Sequence, residues 1–237
     1  MPRRPPLPHR LATAATWPVG MAVTSYAYIW RTTVLHRREL GGSMAEDGPP
    51  PFPPGADLDE VQTPEHGSGD LMHRTYRSRI RESELDARGL MARVCADPNV
   101  VAPNALARFQ KVEGPEGRMA VGDEFSIRMP GPWDGPVRCI RVDDRSFRFA
   151  TLEGHLEAGQ VEWAAADLGP GLVAFRVESW SAPGDRLSNL MHHHLRMAKE
   201  VQLHMWTSVH ERVAKLCGGR LDGGIDIETR TAAVPRG

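Results

Sequence analysis

From Met72 to Leu216 apolar and polar residues alternate in two rhythms. The first has a period of two. In Met72 to Ile80, with Arg74, Tyr76, Ser78 and Ile80 on one parity, it predicts a strand. Further strands are predicted at Ala105–Val112, Met119–Met129, Val137–Val142, Phe147–Leu152, Gln160–Ala165 and Leu172–Ser179. Gly114-Pro115-Glu116-Gly117 and Gly131-Pro132-Trp133-Asp134-Gly135-Pro136 punctuate them as turns. The second rhythm has steps of three and four. Leu187, Leu190, Met191, Ala198, Val201, Met205, Val209, Val213 and Leu216 share one helical face, so a helix is predicted over Asp185–Leu216. About thirty residues at 1.5 Å each give roughly 45 Å of helix. A small flat core does not bury that length, but a sheet curled around it does. A shorter helix is predicted up to Ala96, capped by Ser83 with Asp86 in the capping-box position. The expected fold is therefore α+β: a curved antiparallel sheet of about seven strands around a long C-terminal helix, over residues 71–218.

The flanks lack these rhythms. Residues 1–43 form a basic, then apolar arm, with Arg3, Arg4 and Arg10 ahead of Leu11 to Ile29. Three readings stay open for it: a helix from about Val19 to His36 docked on the body or on a second subunit, an interfacial membrane helix, and a cleaved signal. Residues 44–70, with Gly48-Pro49-Pro50-Pro51-Phe52-Pro53-Pro54-Gly55, read as an acidic polyproline spacer. Residues 219–237 read as a tail with one short strand at Ile225–Ile227.

Composition narrows the function classes. The formal charge of −1 gives no field that would gather nucleic acid. Cys95, Cys139 and Cys217 are odd in number and widely spaced, which speaks against a disulfide framework and a zinc site and for a reducing, cytoplasmic setting. No nucleotide fingerprint follows a strand and opens a helix, so no cofactor is expected, and no metal either.

Candidate chemistry is sparse. His155 stands between Glu153 and Glu157, a pattern that suits an acid/base pair near neutral pH. The competing reading is a hairpin turn shaped by Gly154, with the ring hydrogen-bonded to backbone. His192, His193 and His194 point about 100° apart on a helix and do not converge on one ion. Trp133 and Asp134, in a rigid turn, are candidates for the mouth of a cavity. Arg128, Arg138 and Arg148 on adjacent strands suit an anionic ligand if they face inward and form a solvated face if outward. Met191, Met205 and Trp206 are the helix residues expected nearest a ligand, unless their stripe is plain core.

Several stretches resemble an uncharacterised family catalogued as a domain of unknown function. They are Gly122-Asp123-Glu124, the Gly131–Val137 turn, Thr151-Leu152-Glu153-Gly154-His155-Leu156-Glu157-Ala158-Gly159, Glu178-Ser179-Trp180-Ser181 and Glu200-Val201-Gln202-Leu203-His204-Met205-Trp206. The element order resembles, more distantly, the helix-grip fold of START, Bet v 1 and polyketide-cyclase-like domains. The resemblance implies a fold and no catalytic roles. The first expectation is a noncatalytic protein that holds a small hydrophobic or lipid-like ligand between sheet and helix. The alternatives are an enzyme of cyclase, isomerase or hydrolase type using His155 with Glu157 or Glu153, and a membrane-associated or oligomeric scaffold acting through residues 11–38.

Overall fold

The computed structural model describes residues 33–104, 106–129, 134–184 and 197–235. Their strands are β1 (Leu35–Gly41), β2 (Leu71–Arg81), β3 (Arg108–Glu113), β4 (Glu124–Arg128), β5 (Asp134–Val142), β6 (Ser146–Thr151), β7 (Glu157–Gly169), β8 (Leu172–Pro183) and β9 (Arg220–Ala232). The helices are α1 (Met44–Asp47), α2 (Ala87–Ala96) and α3 (Met197–Leu216). All nine strands form one sheet in the order β1-β9-β2-β8-β7-β6-β5-β4-β3. Only the β1–β9 pairing is parallel among those described.

The sheet is strongly curled. Phe109 on β3 meets Trp163 on β7 edge-on with centroids 6.1 Å apart. Four strand spacings lie between those strands, roughly 19 Å if the sheet were flat. Twist and bulges, as between Cys139 and Arg141, bend it until its far edge folds back. The inside of the curl takes α2 and α3. Leu90, Met91, Val94 and Cys95 of α2, and Trp206, Val209, Val213 and Cys217 in and just after α3, join Tyr76, Phe125, Phe147, Phe149, Phe175 and Ile225 in one cluster. This is the curved sheet around a C-terminal helix expected from the two rhythms. No helix among the described residues is long and apolar enough to cross a membrane.

The elements differ from expectation at identifiable places. Nine strands replace about seven. One addition is β9, where a short strand at 225–227 was expected: Ile225 and Ile227 are its buried centre, and Gly223-Gly224 breaks the alternation before them. The other is β1, on residues assigned to the arm. Residues 35 and 36, placed at the end of a helix, are extended instead. Leu-His-Arg-Arg-Glu-Leu-Gly is almost wholly exposed and is held by main-chain pairing to β9, which leaves no hydrophobic period. The rest of the predicted arm helix, and residues 185–196 of the predicted long helix, lie outside the described residues. Ser83 does not cap α2. Its hydroxyl donates to the Leu85 carbonyl, and Asp86 is the cap, accepting from the Gly89 N–H at 2.7 Å. β3 starts at Arg108, not Ala105, because Leu106 and Ala107 turn back onto the Pro103 carbonyl.

The stretch expected as a spacer lies across the outer face of the sheet. Asp47 is buried, Pro50 accepts from Gln160 Nε2 at 3.1 Å, and Phe52 packs against Val61, Ile140, Ala150 and Leu152. Val61 bridges to Leu152, and the Gln62 N–H donates to the Thr151 carbonyl. Its proline content made it look like a linker, but proline suits a strap that needs few main-chain donors. All three cysteines are buried thiols, and burial pushes Cys139 up to about 12.

Candidate functional site

The turn between β6 and β7 carries the Thr-Leu-x-Gly-His-x-Glu-x-Gly sequence, and each residue type has a job there. Gly154 turns the chain at φ +97°, which side chains resist. The Thr151 hydroxyl accepts from the Gly159 N–H at 2.8 Å and ties the two strands. A Cβ on Gly159 would lie 1.9 Å from the Trp180 carbonyl oxygen, so only glycine lets β8 approach. The Glu157 N–H donates to His155 Nδ1 at 2.9 Å, which fixes the ring. The ring rests on Gly135, where an added Cβ would sit 2.9 Å from Nε2.

This geometry decides among the residues proposed from sequence. His155 is engaged by the Glu157 main chain, and burial pushes its pKa down. Glu153 is exposed on the turn. No hydrogen bond joins the His155 ring to a carboxylate among the described residues, although the Glu157 charge acts on the ring through space. Glu157 instead turns to the inside of the curl. Gln202 on α3 donates its amide to both Glu157 oxygens at 3.2 Å, and the Ser181 hydroxyl donates to Oε2 at 3.2 Å.

Gln202 also reaches the opposite strand. Arg74 on β2 donates from Nη1 to the Gln202 amide oxygen, and from Nη2 to Met72 Sδ at 3.0 Å. The Tyr76 hydroxyl lies against the same guanidinium, with its pKa raised by burial. Arg74 is 5% exposed, yet it forms no ion pair among the described residues. Burying a charge without a counter-charge is strongly unfavourable, so Arg74 marks the place chemically. Ser179 stands directly across from Arg74 in the β2–β8 register, and its buried hydroxyl has no hydrogen-bond partner among the described residues. Below these groups the inside becomes aromatic. Trp206 lies 6.4 Å from Tyr76 and 5.7 Å from Trp163, and Trp163 packs on Phe147 and Phe175. Neither indole N–H has a partner among the described residues. The inside of the curl is therefore apolar, with Arg74, Glu157, Ser179, Ser181 and Gln202 gathered at one end.

Of the other proposed residues, Trp206 is here and Met205 is half-buried against the same core. Trp133 and Met191 lie outside the described residues. Asp134 begins β5, paired with Arg128 in register. Arg128 does not face inward. It is exposed, and its Nε donates to Gln110 at 3.2 Å. Arg138 and Arg148 also face outward but are not solvated: the strap covers Arg138, and Arg148 lies over the Trp180 ring. Arg138 pairs with Glu124 at 2.7 Å and donates to the Asp57 and Asp59 carbonyls. Arg148 pairs with Glu162 at 2.8 Å, Glu162 with Arg176 at 2.7 Å, and Arg176 with Glu178. From Glu178 the chain of contacts runs to His73 at 2.8 Å and on to Asp47 at 3.1 Å.

Arg74, Tyr76, Ser179, Ser181 and Gln202 are not among the site residues proposed from the sequence. A signal for Arg74 existed: it shares the parity of Tyr76 and Ile80, so a charge stands on the apolar side of its strand. A separate recess of about 380 Å³ lies where α2 meets β3 and β4, lined by Cys95, Asn99, Phe109, Lys111, Met119 and Phe125. Its polar groups satisfy one another: Lys111 donates to Asp123 at 2.6 Å and to the Pro115 carbonyl at 2.9 Å, and Asn99 clasps the Phe109 main chain.

Three comparisons bear on kinship. No curated protein matches the sequence. Among solved structures the chain is similar to a START superfamily protein from Mycobacterium smegmatis, at 14% identity over 62% of this chain and 99% of that one, with a TM-score of 0.44. It is similar to norcoclaurine synthase from Thalictrum flavum, at 14% identity over 62% of this chain and 87% of that one, with a TM-score of 0.44. It is also similar to a hypothetical protein from Helicobacter pylori, at 8% identity over 60% and 86%, with a TM-score of 0.45. The family model described as "Domain of unknown function (DUF1990)" matches residues 43–212, a span that takes in the strap, the curl and most of α3, and the chain belongs to that family.

Proposed function

We propose that the protein binds a small hydrophobic or lipid-like molecule between the inner side of the sheet and α3, without transforming it. One observation carries this reading: polar groups collect at one end of an otherwise aromatic and aliphatic interior, and the buried Ser179 hydroxyl among them has no partner among the described residues. Sites for small apolar ligands have this composition, with a few placed polar groups fixing the ligand's direction. Trp163, Trp206, Phe147 and Phe175 supply the apolar wall, and Gln202 joins the helix to both flanking strands at the polar end. An acid/base role for His155 is the second reading and has less behind it, since Gln202 and Ser181 hold the Glu157 carboxylate.

The test is native mass spectrometry of gently purified protein, together with uptake of the neutral dye Nile red. A co-purified small hydrophobic molecule, or saturable dye uptake lowered by Trp206→Arg, is the expected result. Protein that carries no ligand and takes up no dye would overturn the proposal.

A further inference from the structure

Resting on that reading, the geometry points to a ligand with an anionic oxyacid head, carboxylate or phosphate, bound by Arg74 with its hydrocarbon body toward Trp206 and Trp163. The argument begins with how the protein treats its other buried arginines. Arg138 and Arg148 each face a buried glutamate at 2.7–2.8 Å. Arg74 is as buried, yet its contacts are an amide oxygen, a thioether sulfur and the Tyr76 hydroxyl, all neutral. Glu157, the carboxylate on this side, is linked to Arg74 through the Gln202 amide and is itself occupied by Gln202 and Ser181.

Beside Arg74 stands a further donor in search of an acceptor. Ser179, the register partner of Arg74 on β8, carries a buried hydroxyl without a partner among the described residues. Trp206 stands one helical turn beyond Gln202, where the aromatic layer begins. A guanidinium only donates. A neutral alcohol or ketone would occupy one or two of these donors and leave the charge uncompensated. An ammonium head would be repelled by Arg74. An oxyanion accepts several donors at once and supplies the missing charge, and a guanidinium is the side chain best shaped to hold it. Nearby, the aromatic layer of Tyr76, Trp206, Trp163 and Phe175 provides a wall of hydrocarbon character.

The experiment displaces Nile red from the full-length protein near neutral pH with dodecanoate, dodecyl phosphate and dodecanol, three heads on one chain. At least one anion is expected to bind about tenfold or more tightly than the alcohol, the worth of one charge-assisted hydrogen bond. The ranking of the two anions tells a carboxylate from a phosphate site. Arg74→Gln should erase the anion preference while dye uptake persists, and Arg74→Lys should keep part of it. Should Arg74→Gln fail to fold, Ser179→Ala replaces it, with a several-fold loss of preference expected. If dodecanol competes as well as both anions in the unmodified protein, the anion inference is wrong and ligand binding stands. If Nile red is not taken up at all, both fall together.

Discussion

His73 and His210 bond opposite faces of the same sheet, and their environments push them in opposite directions. His210, on α3, is fully buried against Phe175, with Nδ1 hydrogen-bonded to the Ser78 hydroxyl at 2.7 Å. Burial alone drives its pKa down to about 3, so it is a neutral member of the core. His73, on β2, also suffers burial that opposes its charged form. Hydrogen bonds to Glu178 and Asp47 overcome that and raise its pKa. Trp180 stacks on the ring at 5.4 Å. The contrast shows that burial does not fix a histidine's state; what is buried with it does. Inside the curl, hydrocarbon accompanies His210. Outside, a file of alternating charges runs along the sheet to Asp47 of the strap, with His73 as one link.

The sharpest way to break this comparison is at two neighbours on β7 that point to opposite faces. Trp163→Ala removes the centre of the inner aromatic layer and should cost about 3–5 kcal/mol in denaturant unfolding. Glu162→Ala leaves the buried Arg148 without its carboxylate, and should cost a comparable 3–5 kcal/mol or so. A loss below about 1 kcal/mol for Glu162→Ala would mean that the outer face behaves as ordinary solvated surface.

The next effect is about 1.5–3 kcal/mol, the worth of hydrogen bonds to charged groups, and belongs to His73→Leu at mildly acidic pH. The raised pKa of His73 gives stability that is complete below its ordinary value of 6.5 and is lost as pH rises through the folded value. Asp47 and Glu178 are lowered: burial opposes their charge, and their bonds to His73, with backbone and arginine help, outweigh it. Their contribution is present above their ordinary values of 3.8 and 4.5 and is lost as pH falls through the folded ones. The three therefore act together between 4.5 and 6.5, and the gap between wild type and His73→Leu should shrink above that window. His210 has the opposite sign, since the unfolded chain takes up its proton below 6.5 while the fold refuses it until about 3. NMR titration should show His73 protonated beyond its ordinary value and His210 not titrating down to about pH 4. A His210 that titrates near 6.5 would show that the inner core admits water there.

Gly135→Ala sharpens the inner face further. Its new methyl would press on the His155 ring 2.9 Å away and should cost about 1–3 kcal/mol, relieved in part by adding His155→Ala. The smallest effects belong to exposed groups: Arg128→Ala and Glu153→Gln should each change stability by less than about 0.5 kcal/mol and leave dye uptake unaltered.

What could be read from the sequence followed from periodicity. The strands from β2 to β8, and the described length of α3, were legible because one side of each is apolar and the spacing repeats. β1 and β9 were not, because a nearly all-exposed strand and a strand broken by Gly223-Gly224 carry little period. The strap was not, because isolated anchors such as Asp47, Phe52 and Val61 among prolines make no pattern. For the site, Glu157 and Trp206 were singled out and both reach the inner face. Glu157 arrived by a different route from the one expected, through Gln202 and not through His155. Contacts between β2, β7 and α3 depend on the curl, which no local stretch encodes.

The position of β9 sets an order of assembly. It lies between β1 and β2, so β1 has no neighbour to pair with until residues past Arg220 have left the ribosome. The earliest described strand to be synthesised is therefore among the last to find its place. A nascent chain stopped short of β9 would expose one long edge of β2 and a stranded β1, the kind of open edge on which other chains pair.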